Sequence, residues 1–215
     1  MPRKAALIKR ATIYAAYLLV IWGFYRVLFN LPDEVEEVII KPVVWLLPLV
    51  YLLGQEKLGL GSLGVTFKNL FSSVYLSLGL GSIFVIEAIV ANYVKYGGFN
   101  FSANIGDQSL MSALGISLAT AVSEEIAFRG YLFNRLWYAL KGEWTANLIT
   151  SVVWTLMHVP MAIIIMKLSP GGTAVYLALV AVFGLGSSYV FARTKNVASS
   201  ILLHVLWSWP IILFR

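Results

Sequence analysis

The chain has 215 residues, 60% of them hydrophobic and 12% charged, with a formal net charge of +6 and no cysteine. A soluble domain carries about twice that share of charge, so the composition excludes a water-soluble globular protein and describes one membrane domain over residues 1–215. The lack of cysteine excludes disulfides, a thiol nucleophile and thiolate metal sites.

The apolar runs are long and continuous rather than alternating, which argues against a β-barrel. An all-α fold is expected, a polytopic integral membrane helical bundle of about seven transmembrane helices. Pro2-Arg3-Lys4 and Lys9-Arg10 precede the first apolar run and resemble a signal peptide. No small-residue cleavage site follows, so Ala11–Phe29 reads as a retained first helix. The acidic stretch Asp33–Glu37 then reads as a connector. Val43–Gly54 is short and marked by Pro42 and Pro48, so it either spans with help from Val38-Ile39-Ile40 or is re-entrant. A glycine-rich linker, Gln55–Asn69, leads to a third helix over Leu70–Tyr96. The loop Gly97–Gln108 precedes a fourth helix from Leu110, and a fifth starts near Trp144. After the Ser-Pro-Gly-Gly turn, Thr173–Ala192 and Val197–Phe214 complete the set.

If the second segment spans, Arg3, Lys4, Lys9, Arg10, Lys57, Lys68, Arg135, Lys141, Arg193 and Lys195 share one side, against Lys41, Lys95, Lys167 and Arg215 on the other. That ratio of ten to four becomes seven to seven if it does not. The positive-inside rule therefore favours seven spans with the N-terminus in the cytoplasm. Since the basic residues sit in short loops, without a groove of interleaved aromatics, no nucleic-acid partner is expected. Three segments echo one another: Leu58–Ser62, Leu78–Ser82 and Phe183–Ser187. They read as small-residue packing between helices.

The fourth helix carries Ser123-Glu124-Glu125-Ile126-Ala127-Phe128-Arg129-Gly130. Ionisable groups are costly inside a membrane helix and tend to mark function, although a structural ion pair is the plain alternative. The two histidines of the chain, His158 and His204, lie on two further helices. Glu124 stands eighteen residues before Gly142 and His158 sixteen after it, so an antiparallel hairpin puts them level. His204 follows Lys195 by nine residues and falls shallower, unless the fourth and fifth helices project beyond the bilayer. Glu125 and Arg129 are four apart, suited to an intrahelical ion pair, as Trp154 and His158, and His204 and Ser208, are suited to share a face. Glu124 is turned about 100° from Glu125, which leaves Glu124 for an open site and Glu125 for Arg129. Arg26 and Glu87 match in depth and are expected to pair.

The ordered set Glu124-Glu125-x-x-x-Arg129, Trp154-x-x-x-His158 and His204-x-x-x-Ser208 resembles the three motifs of the CAAX-protease and bacteriocin-processing family of intramembrane glutamate endopeptidases. The likeness covers about half the chain. It implies a catalytic core over 110–214 behind N-terminal helices over 1–109. It further implies that Glu124 acts as general base on a water shared with His158, while His204 and Ser208 bind the oxyanion. Glu125, Arg129 and Trp154 would support them. Trp154 stands where the family usually has phenylalanine. Ser208 stands where asparagine is common, one donor in place of two. The implied partners are a peptide or lipidated-protein substrate and membrane lipid, with no cofactor and no metal. A zinc peptidase would be a rival, but His-Glu-x-x-His is absent and each histidine stands alone on its helix. A serine protease lacks Gly-x-Ser-x-Gly. A non-proteolytic scaffold or immunity protein of the same fold is the remaining alternative.

Overall fold

The structure is a computed structural model that describes residues 4–29, 31–101, 105 and 108–214, the side chains of residues 26 and 214 excepted. Among the described residues there are helices and turns and no strand. We number seven helices: α1, Lys4–Leu28; α2, Asp33–Glu56; α3, Leu70–Tyr96; α4, Leu110–Leu140; α5, Glu143–Ile165; α6, Pro170–Thr194; and α7, Val197–Phe214. The first six are long and apolar enough to cross a membrane, and α7 is a shorter apolar helix. The protein is an integral, multi-pass helical bundle.

The acidic stretch expected as a connector is instead the opening of α2. Asp33 and Glu34 occupy its first turn, where carboxylates oppose the positive end of the helix dipole. A wide π turn at Glu36–Ile40 precedes Pro42, and the helix continues through Pro48 to Glu56. A proline ring removes one helical hydrogen bond, and a wide turn beside it absorbs the irregularity. The segment is therefore neither short nor interrupted.

Core packing relies on small residues where helices touch. Ser73, Ser77, Gly81, Ala88 and Asn92 form the buried face of α3, which runs along α7. The Ser77 hydroxyl donates to the Ser199 carbonyl at 2.7 Å. A Cβ at Gly81 would lie 2.4 Å from Leu206 Cδ1, so this crossing requires glycine. The small-residue reading thus holds at Gly81, and also at Gly184, where a Cβ would meet Ser151 at 3.2 Å. It fails at Gly59 and Gly61, which have nothing within 4 Å because they lie at the turn Leu60–Leu63 rather than in a helix crossing. The expected Arg26–Glu87 pair lies outside the described residues, since it depends on the Arg26 side chain.

Candidate active site

Helix α4 is capped by Ser109, whose side chain accepts the Ser112 N–H at 3.1 Å. Along its first half Ser117, Thr120 and Glu124 recur at three- and four-residue spacing, so they share one face. All three line a cavity of about 280 Å³. The same cavity is lined by His158 of α5, by His204 and Ser208 of α7, and by Trp22, Glu37, Lys41 and Trp45 of α1 and α2. Glu124, His158, His204 and Ser208, expected to meet from three helices, do border one space.

Depth no longer separates His204 from the others. His204 Nδ1 lies 2.8 Å from Glu125 Oε1, and His204 lines the same cavity as Glu124, so the middle of α7 stands level with the acidic motif of α4.

Glu125 faces away from the cavity and is fully buried. Its Oε1 accepts from Arg129 Nη1 at 3.0 Å and lies 2.8 Å from His204 Nδ1, while Oε2 accepts from the Ser187 hydroxyl at 2.7 Å. Spacing anticipates the Arg129 pair but not the imidazole contact. Arg129 itself is fully buried; Nη2 donates to the Gly184 carbonyl at 3.2 Å, and the guanidinium carbon lies 4.6 Å over the Trp154 ring. The Trp154 indole is also 4.6 Å from the His158 ring and 5.9 Å from the His204 ring. An indole in this position thus joins a cation–π contact to the walls of both histidines.

The ring nitrogens can be assigned from their partners. His158 Nδ1 lies 2.9 Å from the Trp154 carbonyl oxygen, which only accepts, so Nδ1 carries a hydrogen and Nε2 of the neutral ring keeps a lone pair. His204 Nδ1 donates to the Glu125 carboxylate in the same way. The Ser208 hydroxyl is 2.8 Å from that of Ser117.

The α2 groups in this cavity are missing from the sequence motifs. Lys41 is 4% exposed, and its Nζ donates to Glu124 Oε1 at 2.8 Å and pairs with Glu37. Thr120 donates to Glu37 Oε2 at 2.7 Å. The ammonium lies 5.1 Å from the Trp22 ring centroid and 5.6 Å from that of Trp45. The spacing Glu37-x-x-x-Lys41 was the available signal, a helical ion pair at the entrance of an apolar run. Ser117-x-x-Thr120-x-x-x-Glu124 was another, a polar stripe on a membrane helix. Among the described residues, no three histidine or carboxylate side chains form a group that could hold a metal ion.

After Glu125 the backbone opens into π turns over Ile126–Phe133. Gly130, which ends the acidic motif, lies under the Leu60–Leu63 turn. A Cβ there would sit 2.9 Å from the Leu63 carbonyl oxygen, so only glycine lets that turn close over α4.

A comparison with curated proteins found no match. Residues 106–210 match the family described as type II CAAX prenyl endopeptidase, Rce1-like. The match takes in Glu124, Glu125, Arg129, Trp154, His158, His204 and Ser208, and it leaves α1, α2 and α3 outside. Residues 106–210, with all three motifs on the walls or supports of one cavity, thus form a domain of the Rce1-like type II CAAX prenyl endopeptidase type.

Proposed function

We propose that the protein cleaves a peptide bond of a membrane-associated protein or peptide by activating water between Glu124 and His158. A CAAX-type protein and a leader peptide are the two substrate types that fit this reading. The family supports an intramembrane endopeptidase in general. The observation that carries the finer reading is the cavity shared by Glu124, His158, His204 and Ser208.

In this mechanism the water oxygen attacks the scissile carbonyl carbon as Glu124 takes its proton, with the His158 Nε2 lone pair holding the second hydrogen. Ser208 donates its hydroxyl to the developing oxyanion. His204, held by Glu125 at Nδ1, lines the same cavity beside Ser208. Collapse of the intermediate breaks the C–N bond, and the proton held by Glu124 passes to the leaving amine. The products are one carboxylate and one amine. Ser117 keeps the Ser208 hydroxyl at the cavity wall, so a serine serves where an amide is common.

We assign the N-terminus to the cytoplasm, since with α2 read as a span most of the basic residues outside the bundle fall on that side. Comparative peptide profiling of membranes carrying wild-type or Glu124→Ala protein tests the reading. New termini present with the wild type and absent with the variant are expected. A phenotype fully supported by the cleavage-dead variant would indicate a binding role instead.

A further inference from the structure

Lys41 stands outside the family match, yet its ammonium touches the carboxylate assigned to the general base. Two helices contribute two residues each to this contact. Glu37 and Lys41 are one turn apart on α2, and Thr120 and Glu124 are one turn apart on α4. The bonds Thr120 to Glu37, Glu37 to Lys41 and Lys41 to Glu124 close a four-sided ring across the interface. Lys41 binds one oxygen of Glu124, Oε1. A carboxylate held by one oxygen has its rotation fixed, and the other oxygen is left for the cavity that Glu124 lines.

We infer that Lys41 is a positioning residue for hydrolysis: held by Glu37 between Trp22 and Trp45, it clamps Glu124 so that the free carboxylate oxygen meets the water and the scissile bond. The inference rests on Glu124 being the base. A bare helix staple would explain the same contacts but not the same kinetics. A staple affects the population of folded protein; a clamp affects the turnover of each folded molecule. The two Trp rings and the 4% exposure of Lys41 limit the ammonium to this location, and Thr120 orients Glu37 from the helix that carries the base.

The experiment is steady-state cleavage by purified full-length protein in detergent micelles. The probe is a quenched fluorescent peptide ending in a prenylated CAAX sequence, or in the site returned by profiling if that peptide is not cut. Lys41→Met keeps the length of the side chain and removes its charge. It is expected to lower kcat about a hundred-fold with KM unchanged, and Lys41→Arg is expected to recover most of that loss. Glu37→Gln is expected to fall between Lys41→Met and wild type, because it loosens the clamp without removing it. Where Lys41→Met does not fold, Glu37→Gln/Lys41→Met removes the stranded Glu37 charge and carries the same expectation. Wild-type kcat in either folded neutral variant overturns the clamp, as does a loss carried wholly by KM. Glu124→Ala runs alongside. If it still cleaves, the base assignment falls and the clamp with it; if it is dead while Lys41→Met is unimpaired, the clamp alone falls.

Discussion

Helices α2 and α4 are tied together by two buried ionic clusters, one near each end of α2, and the two are built differently. At the Glu56 end, Arg135 Nε meets Glu56 Oε2 at 2.7 Å and the Tyr131 hydroxyl meets Oε1 at 2.9 Å. The remaining guanidinium nitrogens reach the Ser62 carbonyl at 3.1 Å and the Ser62 hydroxyl at 2.8 Å. Each nitrogen of the guanidinium and each oxygen of the carboxylate has a partner. At the Lys41 end, one ammonium serves two carboxylates on the wall of a cavity. A saturated network is fixed and inert, whereas a shared cation beside open space leaves acceptor capacity for a reactant. Burial alone does not distinguish structure from chemistry here; the count of satisfied donors and acceptors does.

Substitutions at the two clusters should therefore fail in different measurements. Glu124→Ala and His158→Ala are expected to lower the cleavage rate by about a thousand-fold or more, while the purified variants retain the wild-type elution profile and helicity. A folded Glu124→Ala protein with full activity would remove the distinction. Arg135→Met strands the Glu56 carboxylate and is expected to cost about 3–5 kcal/mol of stability in detergent unfolding. Turnover per folded molecule should stay at the wild-type value. Ser208→Ala is expected to cost about tenfold in kcat/KM, less than a full oxyanion donor because His204 remains, and Ser208→Asn should cleave at least as fast as wild type. Treatment with a metal chelator is expected to leave the rate unchanged, since the proposed water activation uses a carboxylate and an imidazole.

Legibility in the sequence followed the range of the interactions. Third-helix bounds, the Glu125–Arg129 pair and the shared face of Trp154 and His158 all rest on local periodicity, which a linear chain displays directly. The contact of Glu125 with His204 joins residues 79 apart and follows from no local pattern. Lys41 was obscured by a different effect. Asp33–Glu37 has the composition of a loop, and Pro42 and Pro48 suggest a broken segment, so Lys41 counts as a loop residue at the membrane surface. Acidic residues also favour a helix start, and a π turn accommodates the proline. With α2 continuous, the same lysine lies inside the bundle. Its charge, a topology signal when read alone, becomes part of the site.

The π turns over Ile126–Phe133 lie between two functions of a single helix. Before them, Ser117, Thr120 and Glu124 face the cavity; after them, Arg135 faces Glu56 and Ser62. A wide turn holds more chain than the α-helical turn it replaces. Tightening these turns to regular α spacing at the same chain length would rotate the Glu124 face by about 100° against the anchored Arg135 face. Glu124 would leave the cavity with every side chain of the motifs intact. The register between the cavity and the Arg135 anchor therefore rests on the width of these turns, and a change that narrowed them would silence the protein without touching a motif residue.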